Sequence, residues 1–153
     1  MKTTRLRHLL VIASLLFAAG CSPRETTPLP PSGPHGGPLA DVGSRKYALE
    51  FLLDRTEGHL TLYTLDARAA EAIRTGSEGL ELRVRIGDNP QERFLILAPI
   101  ANSATGEFAG DTTRYAGDAP WLKTREAVSL NVVEIIIRGR KYRDITGFIP
   151  AEN

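Results

Sequence analysis

Thiols and imidazoles are scarce in this 153-residue sequence, and its 18 acidic residues are too scattered to single out a pair. There is one cysteine, Cys21, and there are three histidines, His8, His35 and His59. A lone thiol excludes an internal disulfide, a Cys-rich zinc site and an iron–sulfur cluster. Zinc takes three or four ligands from His, Cys and carboxylates. His35 and His59 are therefore candidate metal ligands only if the fold brings them together with Asp or Glu. Otherwise they are two exposed polar residues. Arg138, Arg140, Lys141 and Arg143 form the densest basic cluster, around Gly139. A solvated hairpin tip explains it, and contact with phosphate head groups or an acidic partner is the sharper reading. No nucleophile motif is present: Gly76-Ser77-Glu78-Gly79 has the wrong spacing for G-x-S-x-G, and H-E-x-x-H, the P-loop and G-x-G-x-x-G are all missing. No catalytic residue and no cofactor is nominated, so a non-enzyme is expected. A hydrolase with an unrecognised site is the remaining enzymatic reading. The formal charge of +1 gives no case for nucleic acid.

The position of Cys21 says more than its number. Lys2, Arg5 and Arg7 precede a short apolar stretch, Leu9 to Phe17, and Ala18-Ala19-Gly20 lead into Cys21. A basic start, a short apolar core and small residues before a cut site describe a secretory signal. The stretch is shorter than the roughly 20 apolar residues that span a bilayer. Ala-Ala-Gly-Cys resembles the lipobox of bacterial lipoproteins. That resemblance implies acylation of the Cys21 thiol, cleavage before it, and a palmitate-labelled membrane anchor on the periplasmic side. Ser22 rather than Asp follows the cysteine, which by resemblance to proteobacterial sorting rules favours the outer over the inner membrane. A plain secretory signal with Cys21 as a free thiol is the simpler alternative.

The elements that must position these groups begin after the signal. Removing residues 1–20 leaves 16 basic residues against 18 acidic ones. Ser22 to Pro34 contains five prolines and almost nothing apolar, so residues 21–34 read as a lipidated cysteine and an extended polyproline stalk. Residues 35–153 read as the folded domain. Tyr47, Leu49, Phe51 and Leu53 alternate, as do Leu60 and Leu62, and Leu80, Leu82, Val84 and Ile86. Period-two alternation is that of half-buried strands. Phe94 to Leu97 reads as a run buried on both faces, and 128–138 and 142–149 as a final hairpin turning at Gly139-Arg140. Residues 55–58 and 87–90 separate earlier strand pairs. The pattern predicts an all-β antiparallel sandwich, Ig-like or barrel-like. Two segments break it. Residues 67–74 have helical propensity but are too short to stand alone. Asp118 looks like the N-cap of one helical turn begun by Pro120, with Trp121 as a plug over one end of the core or an exposed stacking residue.

PHGGPLADVG, KYALEFLLD, GHLTLYTLD and the closing VEIIIRGRKYRDITGF resemble a small family of bacterial lipoproteins, over about residues 34–149. A similar His-Gly-Gly segment occurs in some periplasmic adaptors of heavy-metal efflux systems. The resemblance implies a membrane-anchored binding or scaffold module in the envelope, partnered by an envelope protein or an efflux component. The alternative it implies is an efflux accessory protein that binds a metal weakly through His35 or His59. The chain lacks room for the coiled-coil hairpin and lipoyl domain of the adaptors.

Overall fold

The computed structural model describes residues 28–152. The expected signal, Cys21 and the first stalk residues lie outside that range. Eight strands make up the fold: β1 (Leu39–Val42), β2 (Tyr47–Asp54), β3 (His59–Asp66), β4 (Leu80–Ile86), β5 (Arg93–Pro99), β6 (Arg114–Asp118), β7 (Val128–Ile137) and β8 (Arg140–Ile149). All pairings are antiparallel, in the order β1-β2-β3-β6-β5-β4-β7-β8. β1 lies against β8, so the sheet curls into a nearly closed barrel. The expected all-β antiparallel class holds, in its barrel-like form. No helix among the described residues is long and apolar enough to cross a membrane.

Antiparallel pairing assigns every connection to one end. Taking the end where β1 finishes as the upper one, residues 43–46, 67–79, 100–113 and 138–139 are upper, while 55–58, 87–92 and 119–127 are lower. The two long crossings, β3 to β4 and β6 to β7, therefore close opposite ends of the barrel.

The interior follows from the alternation. Leu49 and Phe51 of β2 face Thr64 and Leu62 of β3, and Leu80, Leu82 and Val84 of β4 point the same way. Burial of each such side chain contributes about 1.5–3 kcal/mol. Tyr115 crosses the interior and donates its hydroxyl to the Ser77 carbonyl at 2.8 Å, with Thr75 Oγ1 beside it. Burial pushes the Tyr115 hydroxyl's pKa up, against the opposing effect of its hydrogen bonds with Thr75 and Ser77. Ser77 Oγ accepts from the Ile136 amide at 2.9 Å, so the upper crossing is fastened to both β6 and β7. Gly147 of β8 faces Phe51, and a Cβ there would strike the phenyl ring.

Three local readings are corrected. Phe94 and Ile96 are not buried: they are 64% and 63% exposed, while Leu95 and Leu97 face inward. Strand alternation outranks the apolar run, because the outer face of β5 has no covering layer. Asp118 does not cap the Pro120–Leu122 turn; Ala119 holds the cap position without a side-chain bond, and Asp118 pairs with His59 instead. The last hairpin turns on Arg138-Gly139, both at positive φ, one residue earlier than expected, with Ile137 opposite Arg140. Residues 67–74 hold no helix, in keeping with their shortness: a turn at 67–68 and a bridge from Ala72 to Leu65 take its place, and Asp66 Oδ1 accepts the amides of Ala70 and Glu71.

β7 and β8 also change faces together. Val128, Leu130 and Val132 point inward, and so do Ile135 and Ile137. The same shift falls between Tyr142 and Ile145 on β8, where Asp144 has φ 52°. Register is conserved across the break, since Val132 opposes Ile145 and Glu134 opposes Arg143. The hairpin therefore bends as a unit, and both strands keep apolar residues inside after the bend.

Candidate functional site

The best-defined polar site lies outside the barrel, on β2 and β3. Leu39, Glu50, Tyr63 and Arg114 stand in one cross-strand row on four neighbouring strands. Glu50 points outward, which in a single-layer sheet would leave it solvated. It is nonetheless fully buried, because residues 33–38 fold back over it. Its carboxylate accepts the His35 amide at 2.8 Å, the Gly37 amide at 2.9 Å and the His35 ring at 2.7 Å. A buried carboxylate without partners would cost several kcal/mol, and these three bonds offset that cost. A carboxylate only accepts, so Nδ1 of His35 carries the proton of the bond and Nε2 is the remaining ring nitrogen.

The His35 ring stacks on Tyr63 at 3.9 Å between centroids, and the Arg114 guanidinium lies 6.0 Å from the same Tyr ring. The two glycines after His35 have separate causes. Gly36 sits at φ +87°, a conformation that suits glycine. At Gly37 a Cβ would collide with the Phe51 carbonyl oxygen, so the requirement there is close approach. Leu29 and Leu39 pack with Tyr63 around buried Ala48, Leu65 and Ala69, a small second core on the outer face. The described part of the stalk segment, residues 28–34, thus lies against the sheet.

His59 is held in the same way at the lower end, with Nδ1 2.6 Å from Asp118 Oδ1 across β3 and β6. It shares the outer face of β3 with Tyr63 but is four residues away, about 13 Å along the strand. The two histidines are not brought together. Among the described residues, no group of three or more His, Cys, Asp and Glu side chains is placed to hold a metal ion.

The basic cluster is partly neutralised. Glu134 takes Lys141 Nζ and Arg143 Nε, each at 2.8 Å, and these two bonds hold its carboxyl below its ordinary pKa. Arg140 lies 5.7 Å from the Tyr142 ring centroid. Arg138 is exposed at the turn itself.

The sequence pointed to Trp121 at the lower end but not to the two grooves that flank the 119–127 crossing there. One, of about 360 Å³, is lined by Asn89, Gln91, Arg93, Trp121 and Glu126 among others. The other, of about 450 Å³, runs along Arg55, Thr56, Lys123 and Arg125. Trp121 packs on the core while Arg93 lies 5.3 Å over its ring, so one face plugs the barrel and the other borders the groove. Arg55 fixes this end. It donates to the carbonyls of Thr124, Glu126 (2.8 Å) and Pro150 (2.6 Å), and pairs with Glu152 at 3.5 Å. The signal not read was the arginine in the first hairpin loop, Arg55. Comparison with family models, with curated proteins and with solved structures finds no match to this chain.

Proposed function

We propose that the mature protein is a lipid-anchored module on the periplasmic side of the membrane, the outer membrane in view of Ser22, which binds an envelope partner and catalyses no reaction of its own. The observation that carries the binding reading is the division of the molecule. The barrel interior is filled by side chains such as Phe51, Leu62, Leu82 and Tyr115, so recognition falls to the surface. The concave surface at the lower end, beside Trp121 and Arg93, is the one best built for it. A half-buried tryptophan under an arginine, in a groove rimmed by polar side chains, has the composition of an interface anchor.

The test is a photo-crosslinking residue placed at Gln91 and, as a control, at Ser44 of the opposite end. A discrete adduct in intact cells from Gln91, lost in Trp121→Ala, is expected. Adducts of equal yield from both positions, or none from Gln91, would sink the recognition surface. Palmitate labelling of wild type and Cys21→Ser checks the anchor separately.

The second reading is a metal-efflux accessory. Its support is that His35 and His59 each have Nδ1 fixed by a carboxylate, the arrangement that orients Nε2 toward a metal. Calorimetric titration with Zn²⁺, Cu²⁺ and Ni²⁺ tests it. Binding unchanged in His35→Ala and His59→Ala would remove it.

A further inference from the structure

The chain reaches the barrel at a definite place. Pro28 and Pro30 border the same recess as Ala67 and Arg68, at the start of the upper crossing. Leu29 is already packed on the outer core formed by Ala48, Leu65 and Ala69. Six residues, 22–27, separate Cys21 from Pro28. Fully extended, that stretch bridges at most about 25 Å. This is well short of the roughly 40 Å available had all thirteen residues of the stalk been extended. The barrel is itself about 30 Å from end to end along β7. An anchor at Cys21 therefore holds the upper end near the bilayer and leaves the lower end distal.

The two ends differ in charge as well. The upper connections carry Arg45, Lys46, Arg68, Arg74 and Arg138 against Glu71, Glu78, Glu107 and Asp111, and the adjoining strand ends add Arg114, Arg140 and Lys141 against Asp41, Asp66 and Glu81. The lower connections carry Arg55, Lys123 and Arg125 against Glu57, Asp88, Glu92 and Glu126. Several upper charges are paired: Arg45 with Asp41, Arg74 with Asp111, and Lys141 with Glu134. The end as a whole is close to neutral, and its cations gather at the hairpin tip, where Arg138 and Arg140 stand beside the Lys141–Glu134 pair. In the 100–113 loop of the same end, Phe108 is 60% exposed. Basic side chains with an exposed aromatic residue are the composition of a surface that meets lipid head groups.

We propose that the upper end of the barrel, led by the Arg138–Lys141 hairpin tip and Phe108, rests on anionic phospholipid head groups, so that the Trp121 end faces away from the membrane. This rests on the anchor at Cys21. Two independent observations carry it: the point at which the chain joins the barrel, and the clustering of cations at the hairpin tip of that same end. A lysine or arginine near an anionic surface favours contact by about fivefold, so a short tip with several of them is enough to orient a molecule that is already tethered.

The experiment uses the full lipidated protein in vesicles. Acylation consumes the Cys21 thiol, so Ala104→Cys at the upper end and Thr56→Cys at the lower end each accept a single fluorescent donor. Energy transfer to a head-group acceptor is then read in vesicles of phosphatidylcholine, with and without phosphatidylglycerol. Transfer several-fold greater from position 104 than from position 56 is expected on the anionic vesicles. The difference should shrink in high salt and in Arg138→Glu/Arg140→Glu; the salt arm holds even if that variant folds poorly. Equal transfer from the two positions, or greater transfer from 56, would overturn the orientation. A difference indifferent to salt and to lipid charge would overturn the head-group contact and leave an acidic protein as the partner of the tip. Failure of wild type to associate with vesicles at all would remove the anchor, and the proposal with it.

Discussion

Nδ1 of His35 lies 2.7 Å from Oε2 of Glu50, a carboxylate with no exposed surface on the outside of a barrel. An outward-facing acid is buried there because the chain segment before β1 folds over it. The acid in turn binds that segment through the amides of His35 and Gly37. Burial and fastening are thus the same contact. His35→Ala removes the ring bond and the stacking on Tyr63, while the two amide bonds remain. A loss of about 1.5–3 kcal/mol is expected by urea denaturation, the range for a hydrogen bond to a charged group. Cleavage by protease within residues 28–36 should increase with it. Unchanged stability and unchanged cleavage would show that the clasp is incidental.

The packing of Gly147 on Phe51 makes a second prediction. A methyl group at 147 would meet the phenyl ring in a filled interior, so Gly147→Ala should cost about 1–3 kcal/mol through overpacking. Gly76 is the control: its φ is not positive, and a Cβ there would meet Ile136 only at an ordinary 3.5 Å. Gly76→Ala should leave stability unchanged or raise it slightly. Equal midpoints for the two variants would contradict the barrel interior described above.

Arg55 ties the first hairpin loop to the lower crossing and to the end of β8. Its planar fork reaches three carbonyls, a geometry that lysine cannot reproduce. Arg55→Lys and Arg55→Ala should both lower stability, by about 1–3 kcal/mol. Hydrogen exchange should rise at Lys123–Glu126 in both. Full rescue by lysine would mean that charge, and not the fork, holds this end.

Glu134 offers a check by pH. Its hydrogen bonds to Lys141 and Arg143 lower its pKa from the ordinary value of 4.5. A carboxyl group depressed by folding stabilises the fold above its unfolded pKa, and that contribution is lost as pH falls through the folded value. The contribution of Glu134 should be complete above about pH 4.5 and fade below it. Carboxyl titration by NMR should place the Glu134 midpoint below that of a free glutamate. In the Lys141→Ala/Arg143→Ala variant the midpoint should move up toward the ordinary value. A midpoint indifferent to both substitutions would remove the pairing from the account.

What the sequence made legible was what depends on neighbours in the chain. LELRVRI announced β4 and its inward face, and the Gly139 turn announced the last hairpin. Distant contacts left no such trace. Glu50 looks like an ordinary outward residue in KYALEFLLD, and only residues 33–38 lying over it make it a site. Phe94 and Ile96 look like core because they are apolar, and only the uncovered outer face of β5 leaves them exposed. The bend at Val133 and Asp144 breaks the alternation by which strands are recognised. The His35 and His59 positions were visible as types, but their carboxylate partners come from β2 and β6, registers that alternation alone does not supply.

The proposed anchor at Cys21 underlies both the proposed function and the proposed orientation at the membrane. The most direct measurement is the intact mass of the protein extracted from membranes by detergent, with its N-terminal residue determined by fragmentation. The predicted result is a chain beginning at Cys21 that carries the added mass of its acyl groups on that residue. A chain that begins elsewhere, or that begins at Cys21 with an unmodified thiol, would contradict it.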